Sequence, residues 1–496
     1  MSDIKIREEK IKEKRKQTPR AEYIKEIASR YNLTFYKNNG LISRFPVTWR
    51  EWPIVKIEKY LAEYGDGTWG MDFDFSKSFF DNFGELFKKT PKMSQIQYGD
   101  NENCEFAETV FGAKNGYLSV CIGDNADTVL YSTMVYRNVK SVFNSVLATS
   151  NSENIYASKL VTDSFNIFYS KYIHNSNNIW FSDNLLGCSE CMFCSNLENQ
   201  TYYIHNQKWE KEKYLEEKEK IMKEKHLFET YQKQLHNTAP NKLAPNCSGN
   251  GIQFCENIEN GYLVSRFKDG RNVAFSDGTP ISSRIYDSFD VGTCDDIYGW
   301  MWCGQWCSNM YCGTNAAGSS NIYYSYFLEN CSFCLWCIGL KNKQFCILNK
   351  QYTKEERFLL ANKIFEQMEK DWILWQFFPG WMNPFYFNDT AAYLIDDSIA
   401  KEEVTRAWYL RRDEEIKVDI PVWADIVDVK DLNKYQRFNF SGEREINPEI
   451  VKKVIRDEKG NMYRIVPMEL KFLQKHWLPL PELHRLERMK LGFKFE

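Results

Sequence analysis

"NIYASKLVTDSF" at 154–165, "NIFYSKYIHNSN" at 166–177, "NIWFSDNLLGCS" at 178–189 and "ECMFCSNLENQT" at 190–201 are consecutive 12-residue segments that align without a gap. With Asn154 as position one, position two holds Ile155, Ile167, Ile179 and Cys191. Position five holds Ser158, Ser170, Ser182 and Cys194, and position eight holds Val161, Ile173, Leu185 and Leu197. The series extends upstream through starts at Asn103, Asn115, Thr128 and Ser141, in steps of 12 or 13. One side of the implied cross-section is large and apolar, the other small. A single turn of this size cannot bury its own apolar face, whereas stacked turns share one continuous core. The expected form is a narrow β-solenoid whose turns rise by about 4.8 Å, the strand spacing of a sheet. Asn at position one suits a tight corner, because its side chain bonds nearby backbone and tolerates unusual φ.

The pattern stops near Asn206. A charged helical stretch follows, then a loop-like "NTAPNKLAPN" at 237–246. The series then restarts at Asn246, Asn260, Asn272, Arg284, Asp296, Asn309, Asn321 and Phe333, each 142–145 residues after its counterpart. A second helix is expected from Thr353, where Thr353 and Glu356 are spaced as a capping box. The predicted fold class is mainly β: two tandem β-solenoids of about 12-residue turns, each followed by a capping α-helix, with small α+β flanking modules. The expected order is a charged arm (1–20), an N-terminal module (21–102), the first solenoid (103–206), and its helix and linker (207–245). The second solenoid (246–349), a helix and aromatic segment (350–388) and a C-terminal module (389–496) follow.

Composition bounds the function classes. At 496 residues the chain exceeds one ordinary core, and 43% hydrophobic with 16% aromatic residues excludes wholesale disorder. A net charge of −3 removes a chain-wide basic footprint for nucleic acid and leaves only local patches. No apolar run reaches the length of a membrane span. "MSDIKIREEKIKEKRKQTPR" at 1–20 lacks the apolar core of a secretory signal and reads as an exposed charged helix or tail. Fifteen cysteines without an export signal are expected to be reduced thiols in a cytoplasmic protein.

The flanks and repeats together resemble a Cys-rich repeat family from bacteria of the candidate phyla radiation. The resemblance is carried by "DFDFSKSFFDNFGELFKKTP" (72–91), "NENCEFAETVFGAKNGYL" (101–118), "LKNKQFCILNKQYTKEE" (340–356) and "YRIVPMELKFLQKHWLPLP" (463–481). It implies no established activity. It implies a C-terminal zinc ribbon built on Cys-x-x-Cys pairs, but no cysteine lies beyond Cys346 here. A ribbon-like module is then expected to hold through Tyr463, Leu470, Phe472, Trp477 and Leu478, because His476 and His484 alone cannot complete a zinc site.

Two features carry candidate chemistry. "CSECMFC" at 188–194 and "CSFCLWC" at 331–337 offer Cys188, Cys191, Cys194, Cys331, Cys334 and Cys337 as weak candidates for a metal or redox site. Other turns fill the same columns with Ser, Ala, Ile and Val, so buried core thiols are the preferred reading and no cofactor is expected. The second feature is an aromatic stripe at position three, which should point outward because it follows an inward residue. Phe143, Tyr156, Phe168 and Trp180 on the first solenoid, and Tyr286, Tyr298, Tyr311 and Tyr323 on the second, form the candidate binding surface. Such a stripe either packs against neighbouring modules or serves as a track on which ligand rings stack.

Catalytic motifs are weak: no phosphate-binding glycine loop, no H-E-x-x-H and no G-x-S-x-G occurs. The carboxylates Asp72 and Asp74 alternate on a strand-like stretch, a common arrangement of solvated side chains. The expectation is a non-enzymatic scaffold or binding protein, with a protein partner or a second copy as its target and no membrane association. The alternative is an RNA- or ribosome-associated factor using the basic arm and "HRLERMK" at 484–490. A carbohydrate-active enzyme would require carboxylates converging beside the aromatic track.

Overall fold

Residues 97–208 wind into a parallel coil. Strands of four residues recur every six, and each pairs with the strand one full turn away: Glu153–Tyr156 with Phe165–Phe168, and Lys159–Thr162 with Lys171–His174. The computed structural model describes residues 2–38, 41–46, 53–63, 66–223, 248, 256–262, 270–273, 283–285, 288–291, 294–303, 306–374, 376–412, 424–439 and 443–493. Within them the chain is mainly β, with a β-solenoid and several helices.

Register follows the sequence columns of the first series. Position two runs Gly116, Val129, Val142, Ile155, Ile167, Ile179 and Cys191 as successive partners, and position eight runs Val110 through Leu197. These side chains form one buried core with Cys188, Cys191 and Cys194.

The turn has four corners. Positive φ recurs at every third residue: Asn154, Ala157, Leu160 and Asp163 in one turn, Asn166, Tyr169, Tyr172 and Asn175 in the next. Inward positions two, five, eight and eleven each follow a corner. The spacing of three in "CSECMFC" is therefore the side length of a four-sided coil. Non-glycine residues are held in a left-handed conformation that costs on the order of 1 kcal/mol each in isolation, so the stacking must supply what the corners lose.

Ladders of side chains do part of this. Asn154 Nδ2 donates to Asn166 Oδ1 (2.9 Å), Asn166 to Asn178 (2.7 Å), and Asn178 to Glu190 Oε1 (2.8 Å). Inside, serine hydroxyls link turns: the Ser170 N–H donates to Ser158 Oγ (3.1 Å) and the Ser182 N–H to Ser170 Oγ (3.0 Å). Each hydroxyl in turn donates to the carbonyl two residues before it, as Ser170 does to Phe168 O (2.8 Å). The small column is thus a hydrogen-bonding column, satisfying backbone N–H groups that would otherwise be buried without a partner.

A second parallel ladder runs from Ser283 to bridges at Ile347. Ile285, Ile297, Met310 and Ile322 are successive partners, as are Tyr298, Tyr311 and Tyr323. Of the earlier turns, expected to start at Asn246, Asn260 and Asn272, only 248, 256–262 and 270–273 are described, and there Ile258 and Val273 belong to the same buried core as Ile297 and Met310.

Both ladders end alike. Asn206 Oδ1 accepts from Ser195 N and its Nδ2 donates to Ser195 O, both at 2.9 Å; Asn349 does the same to Ile338 at 2.7 and 2.8 Å. One carboxamide imitates the next strand, and a two-residue antiparallel strand follows, Gln207–Lys208 or Lys350–Gln351. An open edge that would pair with another chain is thereby occupied. Each end leads to a helix. Lys211–Met222 buries Tyr214 beside Tyr202 (ring centroids 5.5 Å). Lys354–Lys370 starts at Thr353 with both halves of a capping box and buries Ala361, Ile364, Phe365 and Met368.

The chain divides into two compact units that cross its linear order. Met1–Ile96 and Pro240–Arg411, with Phe495–Glu496, make one; Gln97–Ala239 and Arg412–Lys494 make the other. The N-terminal segment therefore belongs with the second ladder, and the C-terminal module with the first.

The 1–20 arm, expected to be exposed, contains a helix, Ser2–Arg15, that is docked through buried Ile4 and Ile11. Arg7 and Lys10 bond Glu369 at 2.9 and 2.5 Å. Of the residues expected to hold the C-terminal module, Tyr463, Leu470, Phe472 and Leu478 are buried, whereas Trp477 is 50% exposed.

Candidate functional site

The aromatic stripe points away from the coil core, as its position after an inward residue requires, but it is covered. Phe143, Tyr156, Phe168 and Trp180 are all buried. Phe472, on the helix Pro467–Lys475, lies over them at ring distances of 4.2 Å to Phe143, 6.0 Å to Tyr156 and 6.4 Å to Phe168. His476 lies 5.1 Å from Phe168. In the other unit Tyr298, Tyr311 and Tyr323 stack at 5.3 and 4.9 Å and are equally buried. Their cover is Phe365 (5.6 Å from Tyr323), Lys12 above the Tyr298 ring (5.2 Å), and Glu8, whose carboxylate accepts from the Tyr323 hydroxyl. Tyr286 lies outside the described residues. Of the two uses expected for the stripe, its described members serve the first, packing against neighbouring segments within each unit, and as buried rings they are not an exposed binding track. Rings of this size bury large apolar areas, which is why covering them outweighs leaving them wet.

Sequence reading missed a second stack. Position four, a corner, places Tyr169, Phe181, Phe193 and His205 face to face at 5.3, 5.0 and 4.9 Å. The signal was present as an aromatic column one residue after the first.

The cysteine clusters sit in the coil interiors. Cys188, Cys191 and Cys194 are buried, as are Cys331, Cys334, Cys337 and Cys346. Cys188, Cys194, Cys331 and Cys337 occupy serine places: the Cys188 N–H donates to Ser176 Oγ (3.0 Å), and the Cys194 thiol donates to Met192 O (3.2 Å). The Cys331 and Cys337 N–H groups donate to Ser319 and Ser325 Oγ (both 3.0 Å). Hydrogen bonds between neighbouring thiols hold Cys188 down at about 7 and push Cys191 up. A bond with Cys334 raises Cys331, and burial raises Cys337. Among the described residues no group of three or more His, Cys, Asp or Glu side chains is set to hold a metal ion.

The zinc ribbon implied by resemblance does not fit its donor set, since residues 412–494 contain no cysteine and two histidines, His476 and His484. Burial pulls those imidazoles down to about 4 and about 3. Of the carboxylates singled out in the sequence, Asp72 accepts from Lys350 Nζ (2.6 Å) and Asp74 from the Ser76 hydroxyl (2.6 Å). No helix among the described residues is long and apolar enough to cross a membrane. Compared with known proteins, the chain matches no family, no curated protein and no solved structure.

Proposed function

We propose that the protein is a non-enzymatic scaffold or binding protein of two tandem β-solenoids, each followed by a capping helix, that presents coil surface to a macromolecular partner or to a second copy of itself. The exposed corner of the first coil carries this reading. With the aromatic flank covered, positions ten and twelve remain outward: Asp163 and Phe165 in one turn, Asn175 and Asn177 in the next. Phe165 and Leu186 are 44% and 46% exposed beside these polar groups. The same two positions return at each turn with varying side chains, an extended surface of the kind that solenoids use to bind. The compartment in this reading is the cytoplasm, which keeps free thiols such as those of Cys188 and Cys331 reduced.

The RNA- or ribosome-associated alternative relies on basic residues that have partners within the fold. Arg7 and Lys10 are tied to Glu369, and buried Arg488 bonds Glu469 (2.7 Å). Sedimentation of the native protein at low and high salt tests both readings. A scaffold holds its partner or its second copy with little salt dependence, and Phe165→Arg with Leu186→Arg disperses the assembly while the β spectrum is kept. Co-sedimentation with ribosomes that salt releases would replace this reading with the RNA one.

A further inference from the structure

Helices most often end on a residue in the left-handed region, and glycine is the residue that occupies it without a Cβ penalty. In the helix Pro467–Lys475 that place holds Trp477, at φ +56. The terminus is a complete Schellman arrangement, with the Leu478 N–H on Leu473 O (2.9 Å) and the Trp477 N–H on Gln474 O (3.4 Å). Trp477 is half exposed, so the indole is held at a disfavoured backbone position without gaining full burial.

Trp477 lines a cavity of about 710 Å3 between the hairpin Gln436–Phe438/Arg444–Ile446 and the end of this helix. Three carboxamides in its wall are each fixed by one end only. Gln436 Oε1 accepts the Leu480 N–H (3.1 Å) and an Arg444 Nη1 bond (3.4 Å). Gln474 Nε2 donates to Ile446 O (3.1 Å), and Asn447 Oδ1 accepts the Glu449 N–H (3.0 Å). Gln436 Nε2, Asn447 Nδ2 and Gln474 Oε1 are left over, two donors and one acceptor whose orientation the backbone sets. Of the cations nearby, Arg437 bonds Glu445 (3.1 Å) and Lys434 bonds Asp431 (2.9 Å), while the Arg444 guanidinium lies over the Phe438 ring (4.7 Å).

We infer that this cavity is a binding site for a neutral carbohydrate, with a pyranose ring lying on Trp477 and its hydroxyls on the free ends of Gln436, Gln474 and Asn447. A sugar ring has an apolar C–H face suited to an indole and hydroxyls that donate and accept, which is what a wall of half-used carboxamides requires. A phosphate is best held by a cluster of unpaired cations, and of the cations in the wall Arg437 is paired with an acid, as is Lys434, while Arg444 is turned to Gln436 Oε1 and the Phe438 ring. The inference concerns the C-terminal module and stands apart from the coil-surface reading.

The test is calorimetric titration of the full chain with cellotriose, maltotriose, mannotriose and chitotriose, and with oligouridylate as an anionic probe. Saturable binding of at least one trisaccharide is expected, with at least tenfold weaker binding in W477G. Glycine suits this backbone position, so W477G keeps its melting temperature or raises it. W408G, at the same helix-end position after Lys401–Arg406 and absent from the lining of this cavity, leaves binding unchanged. Gln474→Met, which keeps the helix and removes the free oxygen, gives the same loss by a second route. Absence of trisaccharide binding, equal binding in W477G and Gln474→Met, or Trp477-dependent binding of oligouridylate alone would each overturn the inference.

Discussion

The two ladders share one ending but acquire their covers from opposite ends of the chain. On the first, the stripe Phe143–Tyr156–Phe168 lies under Phe472, more than 300 residues later in sequence. On the second, Tyr298 and Tyr323 lie under Lys12, Glu8 and Phe365, two of which come from the first helix of the chain. The coil is a local product of its period, and the surface that completes each core is not. What distinguishes the units is the chemistry of the cover, aromatic rings and imidazoles in one, an ion-paired helix in the other.

That difference predicts responses to pH in separate windows, acid for one unit and alkaline for the other, the largest effect expected. All six histidines fall in Gln97–Ala239 and Arg412–Lys494. Burial holds His174 at about 4 and His484 at about 3, below an ordinary 6.5. Between those values the unfolded chain binds the protons, so stability is constant above pH 6.5 and falls as pH drops from there toward 4. At about 1.4 kcal/mol per pH unit the two imidazoles together are worth on the order of several kcal/mol by pH 4. In the other unit, burial holds Lys92 at about 7 against 10.5. There the unfolded chain binds the extra proton between pH 7 and 10.5, so stability rises across that window. Hydrogen exchange followed by peptide should show the 103–206 coil loosening first in acid. Earlier opening of 283–347 in acid would remove the distinction.

Removing each cover residue sharpens the same comparison. Phe472→Ala should cost about 3–5 kcal/mol and raise exchange first in 129–180, whereas Phe365→Ala should act first on 298–323. If Phe472→Ala left the amides of 129–180 as protected as in the parent protein, the helix Pro467–Lys475 would not be what holds that face.

These covers mark the limit of what sequence could reveal. The register of every turn from Gly116 to Cys191 was legible, because a one-residue slip would carry Ile155 or Ile167 out of the core. The corners were only partly legible: Asn154 and Asn166 announce positive φ, but Ala157, Leu160 and Tyr169 adopt it with no local signal. Serine read as a small filler, and its hydrogen bond to the next turn becomes visible only once turns are stacked. Trp477 read as core because aromatic residues usually are, and its backbone conformation is a property of the helix end. The pairing of Phe472 with Phe143 depends on contacts across the whole chain, which no periodicity encodes.

Serine hydroxyls accept backbone N–H groups from the next turn in both ladders and should respond alike. Ser170→Ala leaves the Ser182 N–H without its acceptor, and Ser325→Ala does the same to Cys337. Each should cost about 1–3 kcal/mol in denaturant unfolding, the penalty of a buried unsatisfied donor. A loss in one coil and none in the other would mean that the two interiors are built differently after all.

The smallest effects separate the cysteines by column. Cys194 stands in the column where Ser158, Ser170 and Ser182 accept from the next turn, so Cys194→Ser replaces one hydrogen-bonding side chain by another and should change stability by less than about 1 kcal/mol. Cys191 stands where Ile155, Ile167 and Ile179 pack, with its sulfur 3.4 Å from Ser189 O. A hydroxyl there enters an apolar stack, and Cys191→Ser should cost about 1–3 kcal/mol. Cys337 and Cys334 repeat the contrast in the second ladder. If the clusters were metal sites, the members of each cluster would be lost together, and the column would not matter. Equal costs for Cys191→Ser and Cys194→Ser, accompanied by stoichiometric zinc or iron in the parent protein, would therefore turn the core thiols back into ligands.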